Sequence, residues 1–121
     1  MKKVAAVDPG LDGFFCTLTE EGSITTTQMP VLYTGKGKKR SYDVQGIVNI
    51  FLDFKKQNID LVVIEKQQSM PGQGVASSFT IGFGFGILEM ACAALQIPYT
   101  IVHPRTWKGV MCKDIAGEPK A

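Results

Sequence analysis

The sequence predicts an α/β domain built around a mixed sheet, and three observations carry that expectation. Val4 to Val7 and Leu61 to Ile64 are continuous apolar runs, the pattern of buried parallel strands. Each run ends on a carboxylate, Asp8 and Glu65. Between them lie two β-prone segments joined by Glu20-Glu21-Gly22-Ser23, then a stretch of helical periodicity. The expected sheet has three antiparallel strands first and parallel strands after them, with helices packed on it.

Composition narrows the class. The chain has 121 residues, enough for one domain spanning 1–121 and too few for two. It is 45% hydrophobic and 20% charged, which argues against disorder. A net charge of +2 gives no global pull toward nucleic acid, so any basic footprint must be local. Cys16, Cys92 and Cys112 are widely spaced, with no pairing of zinc-site spacing. The first apolar run is too short for a signal peptide, and no run is expected to reach membrane-spanning length. A reduced, intracellular protein is the expectation.

The first run closes on Asp8-Pro9-Gly10. Pro9 fixes its own φ and pushes Asp8 toward an extended conformation. Asp8 then either caps a turn or is presented from a rigid strand end as a functional acid, and the stretch alone leaves both open. Phe14 to Thr19 and Ile24 to Met29 read as the paired second and third strands. Pro30 to Ser41 reads as a loop holding Lys36, Lys38, Lys39 and Arg40, spaced by glycines. That loop is either a solvated surface or a phosphate-backbone contact that orders on binding.

Ser41 is the expected N-cap of a helix over Tyr42 to Lys56, with Asp43 in its first turn. Asp60 to Glu65 follows as a central strand. Two acids at the carboxyl edge of one sheet make a site hypothesis, because parallel sheets gather ligands there. Lys66 to Gly74 reads as a loop at the lip of that edge, where Met70 is either a wedge against a base or idle.

Val75 to Gln96 is helical in its second half by pattern. Gly82, Gly84 and Gly86 do not make a phosphate loop: no strand directly precedes them and Gly-Lys-Ser/Thr is missing. Gly82 and Gly86 are expected to flatten one helix face, with Glu89 exposed a turn beyond. Phe79, Phe83 and Phe85 are left for an interface between copies. Ile97 to Val102 is the fifth strand. After it come Arg105, Trp107 and Lys108, a mix of cations and one aromatic suited to phosphate and base contact, although Trp107 equally suits a core lid.

These segments together resemble a known family. Val7-Asp8-Pro9-Gly10 with Gly13, Val63-Ile64-Glu65-Lys66-Gln67, the long glycine-containing helix, and Val102-His103-Pro104-Arg105-Thr106-Trp107-Lys108 resemble the RuvC-type crossover (Holliday) junction endodeoxyribonucleases, especially their phage-like branch. The resemblance implies an RNase H-like fold and metal-dependent hydrolysis of phosphodiesters in branched DNA, in recombination and repair. By it, Asp8 and Glu65 match two of the metal-binding catalytic acids. Lys66 to Gly74, with Gln68 and Met70, matches the loop that touches the four-way junction. It further implies Mg²⁺ or Mn²⁺, a homodimer, and the cytoplasm of a bacterial or phage-infected cell.

The family carries a later helix with an Asp-rich pattern that completes the acidic cluster, and this sequence stops before it. Asp114 and Glu118 fall in the preceding linker and do not take that role. Two carboxylates within ~4 Å repel by roughly 4 kcal/mol at an effective dielectric near 20, so a cation between them is needed to keep both ionised. With two acids alone, a second metal would bind weakly and cleavage by these residues would be slight. Two rivals stand beside the nuclease. One is a module that binds branched DNA without cutting it. The other is a fragment of an actin- or sugar-kinase-type phosphotransferase, whose first hairpin carries a similar Asp and Gly-rich turn.

Overall fold

The computed structural model describes residues 2–36, 39–67 and 71–106. The elements run β1 (Lys3–Asp8), β2 (Phe14–Thr19), β3 (Ile24–Gln28), β4 (Val31–Thr34), β5 (Lys39–Tyr42), α1 (Val44–Lys56), β6 (Leu61–Glu65), α2 (Val75–Ala94) and β7 (Tyr99–Val102). Five strands form the main sheet in the order β3-β2-β1-β6-β7. β1 pairs antiparallel with β2, and β2 with β3. β6 lies parallel to β1 on one side and to β7 on the other. This is the mixed sheet that the apolar runs and the hairpin predict.

Alternation along the strands puts Ala5, Val7, Phe15, Val62 and Ile64 on one face, all buried. Both helices pack there. Phe15 meets Phe51 and Phe54 of α1 edge-on, at 5.8 and 6.2 Å between ring centres. Phe51 and Phe54 stand 5.4 Å apart in the same manner. Each such pair adds about 0.5–1.5 kcal/mol beyond the area it buries. From α2, Leu88 and Cys92 complete the core, and Glu89 accepts a 2.8 Å hydrogen bond from the Tyr99 hydroxyl of β7. Glu89 is therefore half-buried rather than exposed as expected.

The opposite face is uncovered among the described residues. Phe14, Leu18 and Ile24 are 49%, 47% and 63% exposed there. Asp8 and Glu65 belong to this same face by alternation with Ala6 and Val63.

Four expectations need correction. The stretch Pro30 to Ser41 is not a plain loop: β4 and β5 pair antiparallel as a separate hairpin, with Tyr33 opposite Arg40 and Thr34 opposite Lys39. Ser41 is consumed by that hairpin, so the N-cap moves to Asp43, whose carboxylate accepts from the Gly46 N–H at 3.0 Å. The side chain that α1 would have lost, Tyr42, is instead buried. It lies against Gly84, where a β-carbon would come within 2.4 Å of the ring. The close approach is thus made by the middle glycine of the three, while Gly82 and Gly86 face open space. Finally, α2 is helical over all twenty residues, and by length and composition alone it meets the requirement for a membrane span. In this fold it is the crossover helix between two parallel strands, β6 and β7.

Burial, and then the charge of Glu89, push the Cys92 thiol up to about 12. Thiolate is the reactive form, so native Cys92 is expected to resist iodoacetamide at pH 8. Peptide mapping checks this: Cys92 labels only after denaturation, whereas half-exposed Cys16 labels in the native state.

Candidate metal and nucleic-acid site

The register of β1 on β6 builds the acidic edge. Val7 stands opposite Ile64, and the next residue on each strand is the acid. Parallel pairing sends both strand ends to the same edge, so Asp8 and Glu65 come together from a sequence separation of 57 residues. Their proximity has an electrostatic signature. Asp8 remains accessible, yet partial burial of its carboxyl raises its pKa above the usual carboxylate value, and the negative charge of Glu65 raises it further.

The turn after Asp8 is rigid for a steric reason. Gly13 packs against the backbone of Asp8 itself: a β-carbon at 13 would lie 1.9 Å from the Asp8 carbonyl oxygen. The Gly13 N–H donates to the Gly10 carbonyl at 3.0 Å, and the Gly13 carbonyl accepts from the Met29 N–H at 2.9 Å. Asp8 is thereby held between its own strand and the end of β3.

Asp12, in the same turn, was not singled out by the sequence. It accepts from both terminal nitrogens of Arg40, at 2.6 and 3.4 Å. Arg40 holds the Asp12 carboxyl below the usual range through this hydrogen bond and its charge. The pair joins the turn after Asp8 to the β4–β5 hairpin across 28 residues, with no local signal that would announce it.

The other candidate contacts divide as follows. Lys36 is exposed in the turn between β4 and β5, and Lys39 is exposed on β5. Arg40 is on β5 and engaged with Asp12. Arg105 is exposed just past β7, on the Glu65 edge because Glu65 pairs with Val102. Its backbone N–H donates to His103 Nδ1 at 3.3 Å. Lys38, Gln68, Met70, Trp107 and Lys108 lie outside the described residues, as do Cys112, Asp114 and Glu118. Of the phenylalanines expected at an interface, Phe79 and Phe83 are exposed, while Phe85 packs against the core.

The donor set fits a hard divalent cation in part. Mg²⁺ and Mn²⁺ favour carboxylate oxygens, and Mg²⁺ commonly uses one or two carboxylates with water and phosphate filling its remaining positions. Asp8 and Glu65 supply that minimum. No group of three or more Asp, Glu, His or Cys that could hold a metal occurs among the described residues.

No protein-family model matches the chain, and no curated protein matches it in sequence. Solved structures do match it. Thermus thermophilus RuvC in complex with a Holliday junction substrate is similar at a TM-score of 0.66 and 14% identity, over 92% of this chain and 70% of that one. A further T. thermophilus RuvC structure is similar at a TM-score of 0.57 and 16% identity, over 91% of this chain and 69% of that one. At such identity the shared property is the fold: this chain has the RNase H-like mixed sheet of RuvC, with its flanking helices.

Proposed function

We propose that this chain carries the acidic edge of a metal-dependent endonuclease that acts on four-way or other branched DNA. The observation that carries the reading is the convergence of Asp8 and Glu65 at the ends of neighbouring parallel strands, where partial burial, and then the charge of Glu65, raise the Asp8 pKa. The RuvC likeness supports it, since the solved RuvC complex holds a Holliday junction.

Asp8 and Glu65 would hold Mg²⁺ or Mn²⁺, which would supply Lewis acidity at the scissile phosphate and lower the pKa of an attacking water. The chain's own residues do the rest. Gly13 fixes the backbone from which Asp8 projects. Lys36 and Lys39 on the hairpin, with Arg105 at the edge, contact phosphates without reading sequence. A homodimer would place two such edges on one junction for paired nicks.

One observation favours a second reading, a module that binds branched DNA without cutting. No third acid joins Asp8 and Glu65 among the described residues. A labelled four-way junction separates the two. Nicking that needs Mg²⁺ and disappears in Asp8→Asn identifies the nuclease. Tight junction binding with no nick in Mg²⁺ or Mn²⁺, and no effect of Asp8→Asn, identifies the binding module.

A further inference from the structure

β3 is an outer strand of the main sheet, and among the described residues no strand pairs with its far edge. Its hydrogen-bonding phase is fixed at both ends. The Thr19 N–H donates to the Ser23 carbonyl at 3.1 Å, and the Met29 N–H to the Gly13 carbonyl at 2.9 Å. Antiparallel pairs alternate, so Thr25 and Thr27 also bond toward β2, and the N–H and C=O groups of Ile24, Thr26 and Gln28 point outward. Sheet edges are commonly blunted by lysine, proline or a bulge. β3 has none of these: Ile24-Thr25-Thr26-Thr27-Gln28 is uncharged, mostly β-branched and paired with β2 in unbroken register.

A cavity of about 230 Å³ opens beside this edge, on the face covered by α1. Phe15 and Phe54, both buried, form its floor. Thr25 and Thr27 line it from β3 and are exposed, although their partners Thr17 and Phe15 are buried. Asn49 and Asp53, one helical turn apart, line it from α1. The Thr17 and Thr25 hydroxyls bond each other. Asp53 accepts from the Gln57 amide at 2.5 Å, and among the described residues no cation pairs with it. The cavity thus has an apolar floor and one charged group in its lining, a carboxylate.

From these features we infer that β3 accepts an extended segment of another protein as an added strand, with a lysine of that segment seated in the cavity. The outward main-chain groups supply the affinity, and the cavity supplies the choice of side chain. A residue opposite Thr25 or Thr27 stands on the cavity's side of the sheet, about 5 Å away. A lysine there lays its methylenes along Phe15 and Phe54 and brings its ammonium to Asp53. Charge complementarity favours this occupant over a second copy of β3, whose side chains at the equivalent positions are threonines. β3 stands two strands from β1, and Asp8 and Glu65 belong to the other face. A strand bound at β3 therefore leaves the acidic edge open to its own ligands.

The test uses the whole chain without metal or DNA. The probes are fluorescein-labelled peptides of alternating threonine and valine that differ at one central position: lysine, glutamine, glutamate or leucine. The lysine peptide is expected to bind about five-fold more tightly than the glutamine peptide, the scale of one partly exposed ion pair, and the glutamate peptide should bind least. Asp53→Asn should remove the preference for lysine and leave the affinity for the glutamine peptide unchanged. Thr26→Pro deletes one outward N–H and no bond to β2, so it should abolish binding of every peptide with little change in Tm. Hydrogen exchange on the wild-type chain reads the added strand directly: the lysine peptide should slow the amides of Ile24, Thr26 and Gln28. Equal affinity for the lysine and leucine peptides, or a lysine preference that survives Asp53→Asn, would overturn the cavity assignment. No peptide binding, or binding that leaves those three amides unprotected, would overturn strand addition and leave the nuclease reading standing. Protection of the same amides in the chain alone, rising with its concentration alongside a dimer in sedimentation, would overturn the proposal in favour of a second copy.

Discussion

Replacing Gly13 by alanine is expected to be the most destabilising glycine-to-alanine change among the described residues. The new β-carbon would sit 1.9 Å from the Asp8 carbonyl oxygen and 3.0 Å from its carbon. The obstacle is backbone, which no rotamer change can clear. Relief requires the turn to open, and the turn is closed by the Gly13 N–H to Gly10 bond and by the Met29 N–H on the Gly13 carbonyl. Overpacking of this kind costs on the order of 3 kcal/mol, a fall in Tm of roughly 10 °C for a domain of this size. Thermal unfolding followed by circular dichroism measures it. The control is Gly82→Ala on α2, where nothing lies within 4 Å of the added carbon and helix propensity favours alanine. That variant should melt at or slightly above the wild-type temperature. Equal Tm values for Gly13→Ala and wild type would mean that the turn does not hold Asp8 as described.

Which parts of this arrangement were legible in the sequence follows from the range of the forces involved. The acidic edge was legible because each acid directly ends an apolar run, and parallel pairing of two buried runs leaves their ends on one edge. The hairpin was not. Val31-Leu32-Tyr33-Thr34 carries strand propensity, but Gly35 and the dense cations that follow look like coil. What holds β5 in place is Tyr42 against Gly84 and Arg40 on Asp12, contacts 42 and 28 residues apart in sequence. The helix cap shifted for the same reason: Tyr42 belongs to the core as the last residue of a strand, so α1 starts two residues later on Asp43. The glycine spacing of α2 announced a close approach without fixing which face of the helix would make it. Rotation of a helix about its axis is set by its partners, and the apolar residues of α2 are spread round its axis rather than gathered on one face.

Asp8→Asn is expected to have opposite effects on stability and on metal-dependent function. In EDTA at pH 7 the variant should be slightly more stable than wild type. The folded-state pKa of Asp8 is raised, so its contribution to stability is full below the unfolded value near 3.8 and is lost as pH rises through the folded value. Above that point the ionised carboxylate is held, partly desolvated, beside Glu65. Removing its charge relieves a cost that solvent screening keeps below about 1 kcal/mol, a gain in Tm of roughly 1–3 °C. The gain should vanish below about pH 4, where wild-type Asp8 is protonated as well. Added Mg²⁺ or Mn²⁺ should reverse the order. Wild type is stabilised by an amount that grows with the ratio of metal concentration to Kd, whereas Asn offers one neutral oxygen and binds far more weakly. Junction nicking, at whatever rate the wild-type chain supports it, should fall about a thousandfold, the scale of losing several kcal/mol of charge stabilisation at the phosphate. Differential scanning fluorimetry with and without metal reads the first two effects, and a labelled junction reads the third. A variant that is destabilised in EDTA and still gains Tm from Mg²⁺ like wild type would show that Asp8 serves the turn rather than a metal.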